Sequence, residues 1–257
     1  MIEPPADQSS VVVVVPTYNE RPNIKVLILD VLELGPHFRI VVVDDGSPDG
    51  TGVLADALAA THPGRVEVIH RTAKAGLGPA YIAGFRRALE LMPDLIAQMD
   101  ADLSHDPAAL PRLVAATRDA DVAIGSRYVT GGGTTGWPLS RRLMSRLGGR
   151  YASAVLGAPV SDLTSGFKVW RPGTLQRIAI DGLRSDGYAF QIEATWRAIK
   201  QGARVVEVPI VFADRVAGAS KLSRRIVIEA ALLVWKLRWE SRSSKSNAKS
   251  NPWGSCH

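Results

Sequence analysis

The sequence predicts an α/β fold with a mostly parallel sheet flanked by helices. Apolar runs of strand length alternate with stretches of helical periodicity along the chain. The first run, Val11 to Val15, is β-branched throughout, as in strands buried on both faces. Four successive runs end in polar, glycine-bearing loops, which right-handed crossovers bring to one edge of a sheet.

Taken in order, Val11–Val15 is followed by the loop Pro16-Thr17-Tyr18-Asn19-Glu20 and a helix over Ile24–Leu34, capped by Asn23 and stopped by Gly35-Pro36. A second strand, Arg39–Val43, runs into Asp44-Asp45-Gly46-Ser47-Pro48-Asp49-Gly50-Thr51. A helix over Val53–Ala60 and a strand over Arg65–His70 come next, then the loop 71–78 and a helix over Pro79–Leu91. Leu95–Met99 is a buried strand ending in Asp100-Ala101-Asp102, and Asp106-Pro107 begins the helix over Leu110–Thr117. Val122–Ile124 is a short strand ending in Gly125-Ser126-Arg127-Tyr128.

Beyond the glycines of 131–136, a helix begins at Trp137-Pro138 with Arg142, Arg146 and Arg150 on one face and Leu143 and Leu147 on another. Helices over Pro172–Ile178 and Phe190–Lys200 precede a strand over Arg204–Val211, which Pro209 assigns to a sheet edge. Phe212–Lys221 is a loop, and Ile226–Glu240 an amphipathic helix with Trp235 and Trp239 one turn apart, placed either on the domain or at a membrane interface. Tyr151, Trp170 and Phe190 are assigned to the core.

A chain of 257 residues, 46% hydrophobic and 22% charged, suits a single domain over 11–240, with a tail over 1–10 and a disordered tail over 241–257. Its net charge of +6 favours anionic partners. One cysteine, Cys256, excludes a disulfide framework and a cysteine-rich zinc site, and a reducing, cytoplasmic setting fits. No export signal is visible at the amino terminus, and Ile226–Trp235 falls short of the roughly 20 residues that span a bilayer.

Chemistry is expected at Asp100-Ala101-Asp102. Two carboxylates one residue apart at the end of a buried strand offer hard oxygen ligands for a divalent cation and, through it, a phosphate. An isolated Asp-x-Asp is as readily a helix cap, so the assignment depends on the neighbouring loops. Taken singly, Asp44-Asp45-Gly46-Ser47 reads also as an Asx turn, His105 as a helix-start donor rather than a metal ligand, and Gly76-Leu77-Gly78 as a tight turn.

Together the loops are specific. Pro16 to Glu20, Asp44 to Thr51, Gly76 to Gly78, Asp100 to His105, Gly125 to Tyr128, Ser165-Gly166-Phe167, and Arg215 with Ser220-Lys221 resemble the inverting family-2 glycosyltransferases, with a Rossmann-like GT-A fold. Within them the chain resembles the polyprenol (dolichol) phosphate mannose synthases.

This resemblance implies transfer of mannose from GDP-mannose to a polyprenyl monophosphate, with Mg²⁺ or Mn²⁺ as cofactor and no nucleic acid as partner. Pro16, Tyr18, Glu20 and Asp44 would line the nucleoside pocket, with Arg71 and Gly76 beside it. Asp100, with Ala101 next to it, would face the ribose or the metal, and Asp102 would ligate the metal. Some relatives carry Gln where Ser104 stands, so a water would complete the shell here. Arg127, Arg141 and Ser145 would grip the acceptor phosphate, and Asp162 would lie near the sugar. Arg215 and Lys221 would close over the leaving diphosphate. The protein would work on the inner face of the membrane as a peripheral enzyme, held by a basic or tryptophan-bearing helix, by the lipid acceptor itself or by a membrane-protein anchor subunit. The competing readings are a UDP-glucose-dependent enzyme on the same acceptor and a non-catalytic module for anionic polymers.

Overall fold

A computed structural model describes residues 9–214, 232 and 234–239 of the chain. The first half alternates strand and helix: β1 (Val11–Thr17), α1 (Arg21–Glu33), β2 (Phe38–Asp44), α2 (Thr51–Thr61), β3 (Val66–His70), α3 (Leu77–Glu90) and β4 (Leu95–Gln98). A short 3₁₀ turn at Pro107–Ala109, capped by the Asp106 carboxylate, leads into α4 (Leu110–Ala116) and β5 (Val122–Ser126). The second half holds β6 (Gly133–Thr134), α5 (Leu139–Leu156), β7 (Lys168–Trp170), α6 (Pro172–Arg177), α7 (Gly187–Lys200), β8 (Val205–Pro209) and β9 (Val211–Phe212).

The main sheet has the order β3-β2-β1-β4-β7-β5-β8, parallel except for β7, which runs against both of its neighbours. This is the expected mostly parallel sheet, with β8 at an edge as Pro209 requires. Two details differ from expectation. The reversed strand β7 was not anticipated, and the last strand breaks at Ile210 so that β9 can pair with β6 in a separate two-stranded ribbon. The carbonyl of Ser126 holds the break by accepting the Ile210 amide at 3.0 Å.

Alternate side chains of β1 and β2 feed two cores. Val12, Val14, Val41 and Val43 pack under α3 and α7 with Tyr81, Phe85, Trp170 and Phe190, while Val11, Val13, Val15, Ile40 and Val42 pack under α1, α2 and α4. Val11 to Val15 are each no more than 1% exposed, and each buried valine contributes on the order of 1.5 kcal/mol or more. Helix α3 crosses β1 at Gly84, where a Cβ would overlap the Val14 side chain.

Helix α1 starts before Asn23, which lies in the first turn and donates to the Glu20 carboxylate at 2.8 Å rather than capping. Trp170 and Phe190 are fully buried as expected, but Tyr151 is 40% exposed, because α5 leaves its outward face uncovered. Residues 234–239 are helical, with Val234 and Leu237 in the core and Trp235 and Trp239 outside it, 57% and 76% exposed. The tail over 241–257 lies outside the described residues, and that over 1–10 is described only at its last two positions.

Candidate active site

Because β1, β2, β4, β5 and β8 are parallel, their carboxyl ends share one edge, and the reversal of β7 brings its amino end, Ser165-Gly166-Phe167, to the same place. Every described loop in the sequence motif therefore meets there.

On the nucleoside side, Asp44 ends β2 and is buried. Its carboxylate accepts hydrogen bonds from the Thr17 hydroxyl at 3.2 Å and from the Ser47 hydroxyl and amide at 2.5 and 3.1 Å. The Asx-turn reading of this stretch is thus realised, and the turn braces the first two loops. The neighbouring Asp45, which sequence reasoning left without a role, ties in the third loop. It ion-pairs with Arg71 at 2.5 Å and accepts the amides of Ala75 and Gly76 at 3.1 and 3.3 Å. The sequence signal was the doubled aspartate itself. The Lys74 ammonium lies 3.7 Å from the centre of the Tyr18 ring. Glu20, half-buried, precedes α1 and accepts the Asn23 side-chain amide at 2.8 Å, and Pro16 is the last residue but one of β1. Gly76-Leu77-Gly78 begins α3, and the Gly78 amide is taken by Asp186 at 2.8 Å.

At the centre, Asp100 accepts the Tyr81 hydroxyl at 3.2 Å, and its amide donates to His105 Nδ1 at 3.2 Å. His105 therefore acts as an acceptor from Asp100, not as the helix-start donor expected. It is buried between Phe167 and Phe212, and that burial holds its pKa below the ordinary imidazole value against the pull of Asp100 and Asp102, so the ring is neutral near pH 7. Burial and the Asp100 charge push the Tyr81 phenol far up, keeping it protonated as a donor.

Asp102 is buried, with Ala101 buried beside it, and its carboxylate accepts the Ser104 amide at 3.1 Å. That turn puts Leu103 at φ 60°, a conformation costing a branched residue about 1 kcal/mol, and strain of this kind gathers at working sites.

Among the described residues no three His, Cys, Asp or Glu side chains gather as a self-sufficient metal cage. Two carboxylates on one turn are nevertheless what Mg²⁺ or Mn²⁺ uses when substrate phosphates and water complete its shell. The Ser104 hydroxyl, 1% exposed and without a hydrogen-bond partner, is a further oxygen beside them. The donor set fits such an ion.

The acceptor side adjoins through aromatic contacts. Phe212 packs edge-on against His105 at 5.2 Å and against Trp137 at 5.4 Å, and Arg141 lies over the Trp137 ring at 4.0 Å. Arg141 pairs with Asp214 at 2.9 Å, and its Nε, the Trp137 indole N–H and the Thr134 hydroxyl are buried without partners. Ser145 accepts the Tyr128 hydroxyl at 2.6 Å. The backbone joins both sides, since the Ala213 amide donates to the Ser104 carbonyl at 3.2 Å.

Arg127, expected to grip the acceptor phosphate, is drawn into the core. It is only 6% exposed and forks onto Asp162 through two bonds of 2.7 Å, with a third to the Thr164 hydroxyl at 2.8 Å. Burial opposes both charges, but each outweighs it for the other: the Arg127 pKa is raised and that of Asp162 lowered. Both carboxylate oxygens of Asp162 are thus engaged by Arg127. Arg215 and Lys221 lie outside the described residues.

The sequence profile described as Glycosyl transferase family 2 matches residues 12–178. The chain belongs to glycosyl transferase family 2. Among its family-2 relatives, a polyprenol monophosphomannose synthase of Mycolicibacterium smegmatis is 48% identical over 229 residues, covering 88% of this chain and 86% of that protein. An undecaprenyl-phosphate mannosyltransferase of Micrococcus luteus is 47% identical over 234 residues, covering 90% and 96% respectively. The fold matches that of glucosyl-3-phosphoglycerate synthase from Mycobacterium tuberculosis, solved with Mn²⁺ and UDP, with a TM-score of 0.65, 17% identity, and 90% of this chain and 80% of that one covered. The expected GT-A fold and glycosyltransferase class are both borne out.

Proposed function

We propose that this family-2 enzyme transfers mannose from GDP-mannose to a polyprenyl monophosphate, giving a β-linked mannosyl phosphate lipid and GDP. The observation that carries the reading is the meeting, at one sheet edge, of the Asp100–Asp102 turn with the cationic, donor-rich cluster of Arg141, Trp137, Ser145 and Thr134. Both relatives named above for mannosyl transfer to a polyprenyl phosphate cover most of the chain.

Asp100 and Asp102 would hold Mg²⁺ or Mn²⁺, with the Ser104 hydroxyl or a water it orients completing the shell; the fold neighbour solved with Mn²⁺ and UDP supports that class of ion. A divalent ion there supplies charge neutralisation for the diphosphate as the sugar leaves. The protein's own part is positioning. Asp45 fixes Arg71 and the loop over the nucleotide, and Arg141 with Ser145 would aim the acceptor phosphate. A phosphate monoester is already ionised near pH 7, its second pKa being about 6, so attack at the anomeric carbon needs no protein base. Asp162 agrees with that division: both its oxygens are bound to Arg127 and its proton affinity is depressed.

Purified protein is to be assayed with GDP-mannose and UDP-glucose, polyprenyl phosphate, and Mg²⁺ or Mn²⁺. Mannosyl lipid and GDP are expected with the first donor only. Turnover of UDP-glucose would establish the glucosyl alternative, and no transfer from any donor would favour a binding module.

The same enzyme would work at a membrane surface. Leu139, Leu143 and Leu147 stand out from α5 at 77%, 56% and 55% exposure, one turn apart and flanked by exposed Arg142, Arg146 and Arg150. No helix among the described residues is long and apolar enough to cross a membrane. In flotation with vesicles rich in phosphatidylglycerol, Leu143→Ser combined with Leu147→Ser should lower the bound fraction about tenfold, each leucine contributing on the order of 1 kcal/mol. A wild-type protein that does not float would instead assign this face to an anchor subunit.

A further inference from the structure

Behind the site, under α7, lies a polar cluster that the reaction above does not use. Lys168 opens β7 opposite Gln98 of β4 and is fully buried. Its Nζ donates to the Gln191 carbonyl at 3.2 Å and to the Gln191 side-chain oxygen at 2.9 Å. That oxygen also accepts Gln98 Nε2 at 2.7 Å. Gln98 in turn donates to the Gly166 carbonyl at 3.2 Å and accepts the Trp170 indole N–H at 2.8 Å.

A core built for stability alone has no use for an amine here. Burial without a carboxylate in contact is unfavourable, and an apolar side chain of similar volume fills such a position at less cost. Burial pushes the Lys168 pKa down to about 7, while the charges of Asp162 and Asp100 pull it upward, so the amine lies within the field of the site.

The cluster ends on Asp100. Gly166 lies against it so closely that a Cβ there would stand 3.1 and 3.2 Å from the two carboxylate oxygens. The Gly166 backbone that confines the Asp100 carboxylate is held by Gln98, and Gln98 is held by Gln191 and Lys168.

We propose that Lys168 is a positioning residue, which through Gln191 and Gln98 fixes the Gly166 backbone and so sets the direction in which Asp100 presents its carboxylate. The inference rests on Asp100 belonging to the nucleotide and cation site, but its first readout needs no ligand.

In the ligand-free Lys168→Met protein, amide hydrogen exchange should rise about tenfold over residues 99–105 and 164–167, while β1 and β2 keep wild-type protection. Calorimetric binding of Mn²⁺ with GDP should weaken about tenfold, as for other groups that orient a ligand side chain. Gln98→Leu should do the same, and the double variant should lose no more than the worse single one. Thr195→Val, one turn along α7 from Gln191 and also buried, should change neither reading. Should Lys168→Met not fold, Lys168→Gln, which keeps a donor toward Gln191, is expected to show the same local pattern at smaller amplitude. A wild type that binds UDP and not GDP refutes the donor assignment, and the comparison is then read with UDP. Exchange that rises evenly over the whole molecule, or Mn²⁺ affinity that stays at the wild-type value, overturns the proposal.

Discussion

Asp102→Ala is expected to lower mannosyl transfer by on the order of a thousandfold or more while leaving a folded protein. The side chain is buried four residues past the end of β4, the bond from the Ser104 amide is local to its own turn, and the sheet ladder is made by the backbone. Its loss removes one of the two carboxylates that would hold the cation when the diphosphate departs. Asp102→Asn keeps the turn's acceptor oxygen and loses the charge, so it should be nearly as inactive. Transfer rates, Mn²⁺ binding by calorimetry and thermal unfolding together check this. Wild-type turnover in either variant would remove Asp102 from the cation site.

The second large effect concerns folding as much as catalysis. Arg127→Ala leaves the Asp162 carboxylate buried with no countercharge, which costs about 3–5 kcal/mol. For a chain of 257 residues that is a fall in melting temperature of roughly 10 °C. Replacing both partners, as Arg127→Met with Asp162→Leu, should restore most of the stability, because no buried charge is then left alone. Activity should stay low in the double variant, since the loop between β5 and the Tyr128–Ser145 contact would lose its anchor. The pH dependence has a definite sign. The Asp162 pKa is lower folded than unfolded, so its contribution is fully present above the unfolded value near 3.8 and is lost as pH falls through the folded value. Wild type should therefore keep its own share of this stability down to about pH 4, whereas in Arg127→Ala burial without the guanidinium raises the Asp162 pKa, so the gap between the two narrows already as pH falls through that raised value. Denaturant unfolding across pH checks both points, and equal stability of wild type and Arg127→Ala at neutral pH would contradict them.

Much of the fold was legible because the physics is local. Val11–Val15 has no alternative to a buried strand, and the polar loops that end successive strands mark the working edge of a parallel sheet. What escaped notice depends on distant partners. Lys168-Val169-Trp170 begins with a charged residue and is three residues long, so nothing in its pattern announces a central strand. Arg127 reads from the sequence only as a phosphate-binding cation. Only packing against Asp162, 35 residues along the chain, makes it a buried ion pair. Tyr151 reads as core by type, but α5 turns that side outward. Asp45 illustrates the opposite case: its motif was visible, while its work on Arg71 and the Gly76 amide required the third strand's loop to fold over it.

The reversed strand also sets an order of assembly. β5 touches only β7 and β8 within the main sheet, and both are synthesised after it. Until Lys168–Trp170 slots between β4 and β5, β4 keeps a bare ladder edge and β5 pairs with no strand already made, so a growing chain cannot join the two halves of its central sheet before about two thirds of it has been made. The aspartate turn and the group around Arg141 are thus brought face to face late, by one short segment entering from the opposite direction.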